Sequence, residues 1–214
     1  DPEADLELLD LYLHQKVLEE QRISGDVWLK YSFYYIRKNY EFELSDLNFL
    51  VCDNPIIPMG RENIFRSAIY MVLKGQYYEA MHILAPQVEN LFRNIAKEVG
   101  GLTITLDNDG ASKEKVLKSI FDLPELLDCY DNDILFLFKG LLNEQAGANI
   151  RNEIAHGITS EYMASSGAYL YFAGAVIKLL TYTSIKCYEL ITTEGSKLKT
   201  FIEPESDAIK IKRM

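Results

Sequence analysis

The sequence predicts an all-α protein, a helical bundle with an N-terminal helical hairpin and minor short β segments. Two observations predict this class. Apolar residues recur at intervals of three and four positions, the spacing of one helix face, over most of the 214 residues. Proline and glycine separate these segments, and strand-like alternation is limited to a few short stretches. The apolar fraction of 48% is sufficient to bury a core.

The first 40 residues predict two helices joined as a hairpin. Apolar residues at helical spacing mark the first helix: Leu6, Leu9, Leu13, Val17 and Leu18. Ser24 is a suitable N-cap for the second. The second helix carries a face rich in aromatic residues: Val27, Trp28, Tyr31, Tyr34 and Tyr35. We interpret these tyrosines as packing residues rather than as a surface for stacking bases, and His14 as a surface or interface residue.

Prolines and a glycine in 54–60 exclude a helix there and predict the main boundary, between an N-terminal helical extension at 1–55 and a helical domain at 56–214. Helices are predicted at 61–74 and 76–99. A short strand at 102–106 leads into a turn at 107–110. Further helices follow at 112–121, 124–129, 133–145 and about 162–193, with a small hairpin in the tail. Small residues seven apart in the last helix predict a close helix contact: Gly167, Ala168, Gly174 and Ala175.

Composition narrows the class of protein. The three cysteines have no paired spacing, which argues against a disulfide framework and a zinc site and indicates a cytoplasmic protein. No segment is a clean membrane span, and no nucleotide-binding or metalloprotease motif is present, so we expect no membrane association, metal or cofactor.

The net charge of −10 is concentrated in 1–60 and 100–132, which leaves the remaining surface compatible with a polyanion. Because the chain begins with Asp1, we expect further domains of a longer protein.

An arginine and a histidine lie five positions apart in the segment 148–158. On a helix of about 100° per residue, Arg151 and His156 are about 140° apart and about 7.5 Å apart along the axis. They flank a strip formed by Asn152 and Ala155. Side chains so placed act together only if the helix breaks near Gly157 or if a second copy crosses the strip, as in a symmetric dimer.

Arginine and histidine suit the cleavage of a phosphodiester. Arginine holds a phosphate with two parallel hydrogen bonds, and histidine exchanges protons near neutral pH. Without a metal-activated water, the attacking group has to be the neighbouring 2′-hydroxyl of RNA, and the expected product is a 2′,3′-cyclic phosphate. The spacing alone is not specific, because the chain contains 7 arginines and 3 histidines.

The stretch 149–157, NIRNEIAHG, resembles the Arg-x(4–6)-His motif of the HEPN superfamily, and the stretch 75–93 resembles the first half of a HEPN-like family of unknown function. The resemblance covers about 61–160. It implies a bundle of four or five helices, frequent homodimers with a shared cleft, and metal-independent endoribonuclease activity, often in toxins or defence effectors. An antitoxin and further domains of a longer chain are the candidate partners. The resemblance also implies roles for Arg151 as phosphate ligand, His156 as acid/base and Asn152 as an orienting group.

Two alternatives stay open at this stage. Some HEPN domains are non-catalytic dimerisation or ligand-binding modules of larger proteins, and residues 1–50 are a candidate lid or docking arm.

One stripe of the helix at 76–99 carries four polar side chains: His82, Glu89, Arg93 and Lys97. This stripe is either a second, RNA-binding wall of the site through Arg93 and Glu89, or a solvated face with a Glu89–Arg93 pair.

Overall fold

The computed structural model describes residues 2–106, 112–185 and 212–213, and it is mostly helical, as predicted. The helices in chain order are α1 (Pro2–Ser24), a π-helical segment (Gly25–Leu29), α2 (Lys30–Asn39), a 3₁₀ turn (Leu44–Leu47), α3 (Asn48–Val51), α4 (Glu62–Lys74), α5 (Tyr77–Glu98), α6 (Leu117–Phe121), α7 (Pro124–Leu127), α8 (Asn132–Leu142), α9 (Ile150–Ala155), α10 (Glu161–Ala164) and α11 (Gly167–Thr183). The short strands are β1 (Tyr40–Glu41), β2 (Ile104–Leu106), β3 (Ser112–Glu114) and β4 (Lys212–Arg213).

The predicted N-terminal hairpin is wrong. Helix α1, the π segment and α2 form one continuous helix, hereafter the N-terminal helix. Ser24 does not cap a new helix, because its backbone is itself helical (φ −60°, ψ −40°) and its side chain makes no cap hydrogen bond. Lys30, where α2 begins, is helical as well (φ −56°, ψ −46°). The capping preference of serine is about 1 kcal/mol, too small to end a helix that tertiary contacts support.

The predicted small-residue contact is confirmed, and it joins the N-terminal helix to α11. A Cβ placed on Gly25 would lie 1.8 Å from the carbonyl oxygen of Gly167, and one on Gly167 would lie 2.0 Å from the carbonyl oxygen of Arg22. Seven residues further along α11, a Cβ on Gly174 would lie 2.7 Å from Leu29 Cδ1. The two backbones therefore touch at Gly25 and Gly167, where no larger residue fits without a shift of the backbone.

A single core cluster lies among α4, α5, α8 and α11. One apolar face of α5 is buried at Met81, Leu84, Val88, Leu91 and Ile95. Phe33, Leu50 and Val51, which precede the predicted boundary at residue 55, belong to the same cluster. Asn54 joins the two sides, because its side-chain amide donates to the carbonyl oxygens of Leu50 (2.8 Å) and Leu180 (3.0 Å). The division into 1–55 and 56–214 stays a prediction.

The predicted strand at 102–106 is confirmed as β2, which pairs antiparallel with β3. Residues 112–114 are therefore a strand rather than the start of a helix, which begins only at Leu117. Strand β1 pairs with β4. The predicted long C-terminal helix is interrupted at 165–166 and ends at Thr183 in the described residues. The turn at 107–110, residues 186–193 and the tail segments 200–202 and 208–211 lie outside the described residues.

Two predictions about the N-terminal helix are wrong. His14 is buried rather than at the surface, with 2% of its area exposed, and its ring stacks on Phe136 with 4.0 Å between centroids. The tyrosines of α2 do not pack in the core, since Tyr31 is 67% exposed and Tyr34 47% exposed. Phe33 is buried in α2 instead. The periodicity of the sequence correctly predicted that α2 is helical, but it assigned the wrong face of this helix to the core.

Among the described residues, every helix is too short or too polar to cross a membrane.

Candidate active site

Helix α9 carries the Arg-x-His motif, and a tight backbone contact places its start. A Cβ on Gly147 would lie 2.1 Å from the carbonyl oxygen of Gly140 on α8, and the amide of Ala148 donates to that same oxygen at 3.0 Å. Asn149 then adopts the left-handed conformation (φ 51°, ψ 28°) at the N-cap position. Asparagine tolerates this conformation better than other side chains with a Cβ. The loop 143–149 is thus held against α8, and Arg151 is presented toward α5.

Asn149 does not cap α9 as its position suggests. Its side chain makes no cap hydrogen bond, and its Oδ1 accepts instead from Asn152 Nδ2 at 2.7 Å. Asn152 Oδ1 in turn accepts from Arg151 Nη1 at 3.1 Å. Asn152 therefore contacts the guanidinium of Arg151, and the orienting role that the resemblance implies for it stays a prediction.

Glu89 on α5 is the centre of the site. Its Oε2 accepts from Arg151 Nε at 2.5 Å, and its Oε1 accepts from Arg151 Nη2 at 3.5 Å. Arg93, one turn along α5, donates from Nη2 to the same Oε1 at 2.7 Å. The spacing of four residues offered the Glu89–Arg93 pair as one of two alternatives, on a solvated face. The pair is present, but its side chains are only 12% and 18% exposed, and the pairing of Glu89 with Arg151 was not predicted. The latter joins residues 62 positions apart, a separation that leaves no periodic signal in the sequence.

Arg93 connects the cluster to the strand pair. Its Nη1 donates to the carbonyl oxygen of Lys115 at 2.6 Å and lies 3.5 Å from Glu114 Oε2. The Arg93 side chain is 18% exposed, and that of Glu114 is 65% exposed. Arg93 is thus a structural link between α5 and the segment after β3, with little surface for a ligand. The weak RNA-binding role predicted for Arg93 and Glu89 stays a prediction.

Burial and charge oppose each other at Glu89. Burial would raise the pKa of the Glu89 carboxyl, but hydrogen bonds from Arg151 and Arg93 outweigh it and hold the pKa below its usual value. The carboxylate is therefore charged at neutral pH and offsets one of the two arginines. Its side chain is 12% exposed, whereas that of Arg151 is 36% exposed.

The outward part of Arg151 retains capacity for an anion. A guanidinium has five N–H groups. Within the described part of the chain, Arg151 engages three of them, one on each nitrogen, with Glu89 and Asn152. Arg151 therefore makes fewer hydrogen bonds among the described residues than its five N–H groups allow, and the groups that remain suit an anionic acceptor such as phosphate.

His156 follows the last residue of α9. The helix ends at Ala155, His156 has a non-helical backbone (φ −90°, ψ 1°), and Gly157 is left-handed (φ 68°). The His156 side chain is exposed, and it is not among the hydrogen-bonded side chains of the described residues. One hydrogen-bonded network thus joins four side chains, those of Arg151, Asn152, Glu89 and Arg93. Among the described residues, His156 is not part of it. The helix does break near Gly157, but this break does not bring His156 into the network of Arg151, so the joint action of the two residues stays a prediction.

Other residues of the predicted stripe on α5 lie outside this network. His82 Nδ1 lies 2.8 Å from the carbonyl oxygen of Tyr78, within its own helix, and Lys97 is exposed.

Behind α9, the Tyr169 hydroxyl donates to Glu153 Oε2 at 2.7 Å and lies 2.9 Å from Thr159 Oγ1. Burial and the Glu153 carboxylate raise the pKa of Tyr169, so this hydroxyl keeps its proton. The Tyr169–Glu153 bond anchors α9 to α11.

Comparisons of this chain with protein-family models, with curated proteins and with solved structures found no match. In the described ranges, no group of three or more His, Cys, Asp or Glu side chains is placed to hold a metal ion.

Proposed function

We propose that this chain is a HEPN-type endoribonuclease that cleaves RNA through the 2′-hydroxyl without a metal, as a homodimer with Arg151 and His156 in its cleft. The observation that supports this proposal most directly is the state of Arg151. Its guanidinium is held by Glu89 and Asn152, three of its five N–H groups are engaged among the described residues, and its side chain is 36% exposed.

In the proposed reaction, an imidazole takes the proton of the 2′-hydroxyl, and the 2′-oxygen attacks the adjacent phosphorus. The bond from phosphorus to the 5′-oxygen breaks, and that oxygen leaves with a proton from an imidazole. The products are a 2′,3′-cyclic phosphate and a 5′-hydroxyl. Arg151 stabilises the charge that develops on the phosphate oxygens. In a symmetric dimer, the His156 side chains of the two copies supply the base and the acid.

Glu89 and Asn152 are positioning residues in this proposal. A guanidinium that is already oriented loses less side-chain entropy when it binds a phosphate. Glu89 shares its charge between Arg93 and Arg151, and Glu114 also lies against Arg93, so the positive charge offered to the substrate in this proposal is that of Arg151. The biological setting we propose is that of a toxin or defence effector.

A second function, a non-catalytic dimerisation or ligand-binding module, is favoured by a different aspect of the same contact. The Arg151–Glu89 pair joins α9 to α5 over a long sequence separation and has a structural role whether or not RNA binds. In that case Arg151 serves stability alone.

The test is incubation of the protein with an end-labelled mixed RNA pool in EDTA, with analysis of the fragment ends. We expect fragments with 2′,3′-cyclic phosphate and 5′-hydroxyl ends from the wild type, and a rate at least about 100-fold lower for His156→Ala and Arg151→Ala. The matched control is Arg61→Ala, because Arg61 is exposed and outside the network. An inert wild type, or equal cleavage by all variants, would contradict the nuclease and favour the non-catalytic module.

A further inference from the structure

The N-terminal helix begins with a segment that nothing in the described structure covers. We call residues 5–13 the acidic arm, and every one of them is exposed. The arm holds six large apolar side chains that are each 44–66% exposed: Leu6, Leu8, Leu9, Leu11, Tyr12 and Leu13. A helical segment that carries large apolar side chains around its whole circumference is normally buried. The arm therefore requires a partner surface.

The other end of the same helix has matching properties and opposite charge. We call residues 27–39 the basic aromatic segment. Its exposed side chains include Trp28 (70%) and Tyr31 (67%). Residues 2–13 contain four acidic residues and no basic one, whereas residues 27–39 contain three basic residues and no acidic one. The N-terminal helix is therefore acidic at its start and basic at its end, and both ends expose large apolar side chains.

A groove beside Trp28 extends the basic aromatic segment. It is an apolar cavity of about 460 Å³ between the π segment, α8 and α11, with Leu137, Tyr171 and Tyr182 among its lining residues. Lys178 also lines it, is exposed, and adds a further positive charge. The groove offers a concave seat for leucine side chains next to the charge that an acidic segment would meet.

We propose that a second copy of this chain pairs with the first in antiparallel orientation along the N-terminal helix, so that each acidic arm covers the partner's basic aromatic segment and groove. Twofold symmetry makes the contact twice, and all four apolar surfaces are buried at once. A parallel pair would instead place acid on acid and base on base. The two segments and the groove together approach the roughly 20–30 residues a side of a standard interface.

This interface is independent of the proposed nuclease activity. It uses the N-terminal helix and α11, whereas Arg151 and Glu89 lie on α9 and α5. The dimer required by the proposed cleft and the dimer proposed here can therefore be tested separately.

The test is sedimentation equilibrium of charge-reversal variants of the full chain, with circular dichroism to check that each is folded. One variant reverses the arm (Asp5→Lys with Glu7→Lys), one reverses the basic aromatic segment (Lys30→Glu with Lys38→Glu), and one combines all four changes. All four side chains are exposed. We expect the wild type to dimerise, each double variant to weaken the dimer by about tenfold or more, and the combined variant to return to within about threefold.

The matched control is Glu79→Lys with Glu98→Lys, two exposed acids on α5 whose reversal changes the net charge by the same amount as the arm variant. This control is expected to dimerise at least as well as the wild type. A wild type that is monomeric at about 100 µM would overturn the proposal and assign the arm to another protein or to the rest of the chain. Double variants that dimerise normally, or a folded combined variant that does not recover, would also overturn it.

Discussion

Glu89 is the residue on which the geometry of the candidate site depends, because it accepts hydrogen bonds from arginines on two helices. We expect Glu89→Gln to lower the free energy of unfolding at pH 7 by about 2 kcal/mol, since it leaves two arginines without their counter-charge. The folded-state pKa of Glu89 lies below its ordinary value of 4.5, so its stabilising effect is present above that value and is lost as the pH falls through the folded-state pKa.

The difference between wild type and Glu89→Gln should therefore be largest near neutral pH and shrink below about pH 4, as measured by urea denaturation at several pH values. Glu98→Gln is a suitable control, because Glu98 is an exposed carboxylate on the same helix, and the oxygen that accepts from Asn94 is kept in glutamine. An equal difference at pH 3 and pH 7 would mean that the charge of Glu89 does not contribute.

His14 on α1 is a second residue whose charge matters. Burial lowers its pKa, and this effect outweighs the opposing attraction of Asp10 and Glu144; Lys139 and Lys118 also face it. Since the folded-state pKa lies below the ordinary value of 6.5, protonation favours the unfolded chain. Stability is therefore lost as the pH falls through 6.5 toward the folded-state value.

We expect His14→Phe, which keeps an aromatic ring against Phe136, to gain stability relative to the wild type as the pH falls below about 6.5. Thermal unfolding of both proteins between pH 5 and pH 8 is the measurement. A wild type that becomes relatively more stable than His14→Phe at acid pH would show that the Asp10 pair, at 3.8 Å, dominates instead.

At the scale of elements, the crossing of the N-terminal helix and α11 depends on two glycines. We expect Gly167→Ala to lower the free energy of unfolding by about 3 kcal/mol, because its Cβ would meet the backbone of Arg22. Gly174→Ala on the same helix meets only the end of the Leu29 side chain and gains helix propensity, so its net effect should stay within about 1 kcal/mol. Denaturant titration compares the two, and equal losses would place the close contact elsewhere.

Sequence patterns predicted elements well where the apolar period is long and local. Helices α4, α5 and α8 were predicted within a few residues because each buries one continuous stripe. The hairpin prediction failed at Ser24, since the backbone contact of Gly25 with Gly167 joins residues 142 positions apart and outweighs a local capping preference. The same limit explains why the aromatic face of α2 was assigned to the core.

At the scale of the whole molecule, the net charge of −10 should make RNA binding weak and dependent on a few arginines. With a 2′-deoxy substrate analogue, which cannot be cleaved, we expect the logarithm of affinity to fall with the logarithm of salt concentration. Arg151→Ala should reduce that slope by about 0.7, the contribution of one phosphate contact to a single strand. Fluorescence anisotropy at several salt concentrations measures it, and an unchanged slope would mean that Arg151 does not contact phosphate.

The sequence by itself determined the all-α class, most helix positions, the small-residue contact of α11 and the choice of Arg151 and His156 as candidates, because these depend on local periodicity and on residue chemistry. Asn152 became a candidate through the resemblance of 149–157 to the HEPN motif. Only the tertiary structure decided that the N-terminal helix is continuous, that His14 is buried, and that Glu89 holds Arg151. Each of these follows from contacts between residues far apart in the chain. Such contacts depend on how completed helices pack, and no local pattern of residues encodes them.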